Sequence, residues 1–503
     1  MSPAILAMID DRQGHQRSMD ILIRDATVLD PAQDGLLENQ YIAIVGNRIE
    51  GVTSVPIEPD AHTRVIEGRD RLVIPGLVNA HSHSPENFFK GRSEGLPLEL
   101  WLFDLFWAPF QLSEREIVLA CQLGAIEMMK AGATAVVDHF WVNGPMTAEA
   151  LDAAMSAYRD IGIRAGIAPL VEDDHRVNRL LMEREPGLAH APWGTMPPTT
   201  AREYLDVLAA FFAKWHNVEN GRLRCLAGPS GAQWCSLEVM RGSMDIAQQY
   251  GGGFHMHVNE TRFQALICKE FFGKPTVAYL WENGLLRENT SLAHCVWIEP
   301  DDVARIVDAG ATVVHNSVCN LKLGSGFAPI LDLVGRDGHV ALGADGSASN
   351  DNQNMFDVMK VAGLMHTVRT AEHGRWLRAR QILGMATRGG ARVLGLSDSL
   401  GRIVPGQLAD LTLLDLTTAA FTPLNDPAQH LVYAENGTSV RTVIVNGRIV
   451  VDEGRVVTVD EDAVLAEARE RWEWRRREIP PISAEARLFL EAQERLRQAS
   501  MTT

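Results

Sequence analysis

Between about residue 72 and residue 343 one rhythm recurs: a short apolar run, a polar residue, then a stretch with helical spacing. The runs are Leu72–Ala80, Ala133–Val137, Arg164–Leu170, Arg222–Ala227, Gly253–Val258, Thr290–Ala293, Ala311–Val314 and Val340–Gly343, eight in all. Between them lie helices such as Glu114–Lys130, where Ile117, Cys121, Gly124 and Met128 share a face. Eight strands, each followed by a helix, predict a (β/α)8 TIM barrel of the α/β class over residues 73–400. A doubly wound open sheet is the competing arrangement.

The flanks have a different texture. Ile21 and Ile23, then Tyr41, Ala43 and Val45, fall on alternate positions, and Gly46-Asn47 marks a hairpin. The pattern returns with Leu411 and Leu413, then Thr442 and Ile444 before a turn at Asn446-Gly447. Neither flank has strands enough for its own core. Residues 1–72 and 401–460 are therefore read as two halves of one small β-sandwich module, split by the barrel.

Two segments fall outside this plan. The connection Val171–Gly221 is far longer than the ~2–6 residues usual between strand and helix. It ends in a helix starting near Thr200, with Glu203 completing a capping box and Tyr204, Leu208, Phe212 and Trp215 forming an apolar face. Such a loop serves either as a lid or as a surface elaboration. The tail, residues 461–503, reads as helical, with Val464, Leu465, Ala468 and Trp472 on one side and Pro480-Pro481 as an interruption. It is expected to dock on the body or on a sister subunit of a homo-oligomer (dimer or higher), with Arg475–Arg477 as a solvated face.

Composition narrows the partners. The 503 residues carry a net charge of −17, which draws the chain neither to nucleic acid nor to an anionic membrane. The longest uncharged stretch, Pro186–Ala201, holds four prolines and is no spanning helix. Residues 1–20 lack the apolar core of a signal peptide. Six cysteines stand without a C-x-x-C pair, which fits free thiols and a cytoplasmic location.

The chemistry gathers at strand ends. In Pro75–His83 (PGLVNAHSH), His81 and His83 are two residues apart and point to one side of a strand. The fifth run ends in Phe254-His255-Met256-His257-Val258-Asn259-Glu260, the sixth in Ala293-His294-Cys295 and the eighth in Gly343-Ala344-Asp345. Barrel active sites lie at these carboxyl ends. Imidazoles with a carboxylate suit one divalent transition metal per subunit, zinc first and ferrous iron second.

Pro75–His83, His257–Glu260, Ala293-His294 and Leu342–Asn350 (LGADGSASN) resemble the amidohydrolase superfamily, in particular its branch of nucleoside-type deaminases and triazine hydrolases. Asn320–Pro329 (NLKLGSGFAP) resembles a substrate-loop segment of that branch, and the similarity runs from about Met19 to Asp460. The resemblance implies a metal held by His81, His83, His257 and Asp345, with Glu260 and His294 beside it. Two-metal members of the superfamily bridge their ions with a carboxylated lysine at the end of the fourth strand. That strand here, Arg224–Ser230, has no lysine, so a mononuclear site is expected. His255 lacks the offset to Glu260 and is read as a deeper interior histidine.

The expected reaction is hydrolytic deamination of an amino-substituted N-heterocycle, a purine, pterin or s-triazine-like ring. A zinc-like ion lowers the pKa of bound water to ~7. Asp345 accepts its proton, His294 steadies the hydroxide or oxyanion, and Glu260 protonates a ring nitrogen and then the departing amine. Amide or urea hydrolysis and hydrolytic dehalogenation fit the same site, and a non-catalytic scaffold is the remaining reading. The pocket wall is assigned to Asn87, Trp101, Trp107, Trp141 and Trp234, with polar contacts from His139, Gln233, Asn259 and Asn316. Adenosine-type deaminases of this branch usually place an acid immediately before the tryptophan, to hold ribose hydroxyls. Leu100 stands there and Glu99 precedes it, which argues against a nucleoside substrate. Gly91–Gly95 matches G-x-S-x-G but follows a loop and runs into Leu96-Pro97, against a serine-hydrolase elbow.

Overall fold

The first apolar run breaks at Gly76. In the computed structural model, which describes residues 19–106, 111–174, 176–184, 199–479 and 484–502, a Cβ on Gly76 would lie 2.1 Å from Thr134 Oγ1. The run Leu72–Ala80, expected as one strand, is two. Arg71–Pro75 joins the sheet built from the chain ends, and Leu77–Ser82 opens the barrel.

In chain order the strands are β1 (Ile21–Val28), β2 (Leu37–Val45), β3 (Arg48–Thr53), β4 (Arg64–Glu67), β5 (Arg71–Pro75) and β6 (Leu77–Ser82). Then come β7 (Ala133–Asp138), β8 (Arg164–Ile167), β9 (Leu170–Val171), β10 (Leu223–Pro229), β11 (Gly253–Val258) and β12 (Thr290–His294). The last are β13 (Thr312–His315), β14 (His339–Leu342), β15 (Leu411–Asp415), β16 (Val440–Val445), β17 (Arg448–Asp452) and β18 (Arg455–Val456).

Strands β6, β7, β8, β10, β11, β12, β13 and β14 pair in that order, all parallel, and short β9 runs beside β10. The seam between β14 and β6 is bridged where the Asp345 N–H donates to the His81 carbonyl and the Ala344 N–H to Asn79 Oδ1, both at 2.9 Å. This is the (β/α)8 barrel that the repeating rhythm predicts. Its interior is filled by small and branched side chains, among them Val78, Ala80, Val137, Leu226, Val314 and Ala341. The segment Gly390–Leu394 plugs the amino-terminal end, with Ala391, Val393 and Leu394 in the same cluster.

The chain ends meet in one sheet of order β18-β17-β16-β15-β5-β1-β2-β3, with β4 also on β1. Both expected hairpins are present, β2–β3 around Gly46-Asn47 and β16–β17 around Asn446-Gly447. Alternation sorts the side chains: Val73, Leu411, Leu413 and Ile444 enter the module's own core, while Leu72, Ile74, Leu414 and Val443 join the core shared with the barrel. Isoleucines 21, 23, 42, 44 and 49 complete the module's core.

The Ala201–Trp215 helix begins with the expected capping box, Thr200 paired with Glu203, and buries Tyr204, Leu208, Phe212 and Trp215. In the tail, Glu461–Arg475 is helical and sets Trp472 against the rings of Phe88 and Phe89, 6.4 and 5.8 Å away. One expectation is corrected here. Arg475 is not a solvated side chain: its guanidinium bonds both oxygens of Glu116 at 2.6 Å, docking the tail on the N-terminus of the Glu114–Lys130 helix. Pro480 and Pro481 lie outside the described residues. No described helix is long and apolar enough to cross a membrane, and all six cysteines are free and buried.

Candidate active site

Four barrel strands deliver the predicted side chains to one point at their carboxyl ends. His81 leaves β6 with its Nε2 3.2 Å from Asp345 Oδ1, and His83 Nε2 lies 3.3 Å from the same oxygen. His257, on β11, brings its Nε2 to 3.3 Å from His83 Nε2. The far side of each ring is fixed: His83 Nδ1 donates to the His139 carbonyl at 2.6 Å, and His257 Nδ1 to the Ser230 carbonyl at 2.7 Å. Those bonds fix each ring with its Nε2 turned inward. Buried His81 Nε2 has no hydrogen-bond partner among the described residues. An orphaned, buried imidazole nitrogen facing a carboxylate and two further imidazoles fits a divalent cation in donor chemistry and in spacing.

The backbone pays for this convergence, since His294 at φ 73° and Asp345 at φ 67° sit in the left-handed region. Asp345 is held there by the Gln353 carboxamide, whose Nε2 donates to its carbonyl at 2.8 Å while Asn79 and Ser82 donate to Gln353 Oε1.

Electrostatics follows from burial and from charge. Burial alone would raise the Asp345 carboxyl, but the His81 and His83 imidazoles against it hold it well below the usual carboxylate range. Burial dominates at His81, pushed down to about 4. At His83 burial is outweighed by Asp345 and Glu86, which lift it to about 9. Glu260 is raised to about 7, first by burial and then by Asp345 and Glu99, with the His294 charge opposing. Its Oε2 is 3.5 Å from His294 Nε2, and its Oε1 accepts from Ser325 Oγ at 3.3 Å. His294 Nδ1 donates to Asn320 Oδ1 at 3.0 Å, so the NLKLGSGFAP segment positions both His294 and Glu260.

These groups open on a cavity of about 410 Å³. His83, His257, Glu260, His294 and Asp345 line it, and so do Trp101, Trp141, Trp234 and Gln233. The long connection contributes Val171, Glu172, Val177, Asn178 and Thr199. Four expected contacts are engaged elsewhere. Asn87 is spent on the Ser84 and Ala120 carbonyls and on Ser347 Oγ. His139 is buried beneath the cluster, its ring 4.7 Å from that of His257. Asn316 Nδ2 approaches the His294 ring at 3.3 Å. Asn259 likewise donates to the Trp297 carbonyl. Trp107 lies outside the described residues. Ser93 is hydrogen-bonded to Asp104 and follows no strand, as the rejection of a serine nucleophile expects.

Several site residues escaped the sequence reading. Glu86 closes the floor, where its carboxylate accepts from the Ala348 N–H at 3.1 Å and fills the space a Cβ on Gly346 would need. Burial raises it to about 7. Glu99 lines the cavity and accepts from Thr261 Oγ1, while Leu100 does not line it. The fragment PENFF and the acid before Leu100 were visible signals. Phe489 and Gln493, from the terminal helix, had none.

Residues 72–450 match the model of the amidohydrolase family. A 5'-deoxyadenosine deaminase of Methanosarcina mazei is 33% identical over 452 residues, covering 90% of this chain and 97% of its own length. A 5-methylthioadenosine/S-adenosylhomocysteine deaminase of Pelotomaculum thermopropionicum is 31% identical, over 90% of this chain and 98% of its own. Among solved structures, an atrazine chlorohydrolase of Arthrobacter aurescens complexed with zinc superposes with a TM-score of 0.82 at 26% identity, covering 90% of this chain and all of its own.

Proposed function

Because the chain belongs to the amidohydrolase family, we propose that it is a metal-dependent hydrolase that replaces the amino group of an N-heterocycle with oxygen from water and releases ammonia. One observation carries this reading: a buried carboxyl raised to about 7, Glu260, faces the same cavity as Asp345 and the imidazole cluster. Adding water across a ring C=N bond needs a proton donor to the ring nitrogen at neutral pH, and Glu260 is poised as one. The deaminase relatives support an aminopurine-type ring over a halogenated one.

His81, His83, His257 and Asp345 would hold one divalent cation, zinc before ferrous iron, which when bound supplies an acidified water. Asp345, ionised throughout the neutral range, takes a proton from water on the cavity side. His294, its Nδ1 held by Asn320, turns its Nε2 toward the cavity and orients that water toward the ring carbon. Glu260 delivers its proton to the adjacent ring nitrogen, so charge does not accumulate on the tetrahedral centre. The proton collected by Asp345 then leaves on the amine, the carbon–nitrogen bond breaks, and the hydroxyl proton of the tetrahedral centre returns to Glu260, so that ammonia and an oxo-heterocycle remain. Trp101, Trp141 and Trp234 supply the flat apolar walls such a ring requires.

The test is ammonia release from a panel of aminopurines and their nucleosides, aminopterins and amino-s-triazines, alongside chlorotriazines, amides and ureas. Ammonia from the first group is the expected result. Turnover confined to amides, ureas or chlorides would overturn it.

A further inference from the structure

The terminal helix Ala484–Thr502 lies beyond residues 72–450, the span shared with the family, yet Phe489 and Gln493 line the active-site cavity. Phe489 is 5% exposed, and its ring lies 5.4 Å from that of Phe103 at 29°. It shares an apolar cluster with Val177 and Ile267, so the tail, the long connection and the helix after β11 pack against one another at the cavity. The far end of the helix is also tied down, since Arg262 Nη1 donates to the Met501 carbonyl at 3.2 Å.

Two polar atoms in this wall lack partners. The Trp101 indole N–H, on a side chain only 4% exposed, and buried Gln493 Oε1 have no hydrogen bond among the described residues. One is a donor and the other an acceptor, and both side chains border the cavity. Unpaired buried groups of this kind are costly and mark a place that a ligand completes. The charge pattern restricts the ligand further. No lysine or arginine lines the described cavity, whereas five carboxyl groups do. An anionic group on the arm would be taken from water into a wall with no lysine or arginine to receive it.

We propose that Phe489, Gln493 and Trp101 form a subsite for a substituent carried by the heterocycle: an uncharged, largely apolar arm bearing a hydroxyl or amide that accepts from Trp101 and donates to Gln493. Phosphorylated substrates are excluded by the same wall. This assignment rests on the proposed deaminase reading for the ring, but the arm's recognition is separate from the chemistry.

The full-length, metal-loaded protein and its Phe489→Ala and Gln493→Leu variants are compared on one aminopurine ring in three forms: bare, with an apolar hydroxyl-bearing arm, and with that arm phosphorylated. Both kcat/KM and equilibrium binding, read by tryptophan fluorescence, are measured. The unaltered protein should favour the apolar arm over the bare ring at least tenfold and reject the phosphorylated form. Each variant should shrink that preference at least fivefold, chiefly through KM. Phe489→Leu, which keeps apolar packing and removes the ring, substitutes if Phe489→Ala fails to fold. Preferences unchanged within twofold in both variants, or a preference for the phosphorylated arm, would overturn the subsite. If no ring is deaminated, the reaction assignment fails, while binding of the arm and its loss in the variants still decide the subsite.

Discussion

His255 Nε2 lies 2.7 Å from His81 Nδ1, and on its other side His255 Nδ1 lies 2.7 Å from Ser291 Oγ. The chain of hydrogen bonds makes His81 Nδ1 a donor and leaves its Nε2 free to face Asp345. The deeper histidine of β11 thus supports His81, the proposed ligand. Outer partners of this type are worth about 10–100-fold in metal affinity. His255→Leu is therefore expected to weaken zinc binding by about that factor, with activity recovering at excess zinc. Competition with a chromophoric chelator checks it; an unchanged affinity would show that His81 needs no such support.

Glu260→Gln keeps the shape and removes the transferable proton. A loss of about 10²–10⁴-fold in kcat is expected, with stoichiometric metal retained. The pH dependence has a fixed sign. Burial lifts Glu260 to about 7 from an ordinary value of 4.5, so the acid form is full below neutrality and is lost as pH rises through about 7. The kcat/KM profile should fall on its alkaline side with an apparent pKa near that value. A limb that rises through pH 7 would assign Glu260 the role of base.

The barrel and its strand-end cluster were legible because they obey short-range rules. Alternation placed His81 beside His83, and the repeated strand–helix rhythm brought His257, His294 and Asp345 to the same end. What escaped depends on packing between distant segments. The break falls at Gly76, where Thr134 of the neighbouring strand leaves no room for a side chain. Arg475 reads as one member of a basic run until Glu116, 359 residues earlier, is seen to receive it. Asn87 and Asn316 have the chemistry of substrate contacts, but buried neighbours claim them first. Phe489 enters the cavity because an entire helix returns to the barrel mouth, and no local pattern announces that.

A ligand that binds only the folded chain stabilises it, by about 2.7 kcal/mol at one hundred times its Kd. Zinc added to chelator-treated protein should raise the melting temperature and restore activity together. His83→Ala should abolish both responses, because His83 joins Asp345 and His257 in the proposed ligand set. A zinc-dependent shift that survives in this variant would place the cation elsewhere on the molecule.

Arg164 and Asp410 join the barrel to the module in a pair with both side chains fully buried, bonded at 2.8 Å through Nε and through Nη2. Arg164 also donates to the Gly221 carbonyl, and Asp410 Oδ1 accepts from the Asn446 N–H at the β16–β17 turn. Arg164→Met would strand a carboxylate with its charge uncompensated in the interior, which costs about 3–5 kcal/mol. The double change Arg164→Met with Asp410→Leu removes both charges and should recover much of that loss. Denaturant unfolding of the single and double variants measures the difference. Because Arg164 opens β8, at the end of the barrel opposite the histidine cluster, kcat of the still-folded single variant at low temperature should match that of the parent. A selective fall in kcat without loss of stability would mean that the module, through this pair, reaches the chemistry itself.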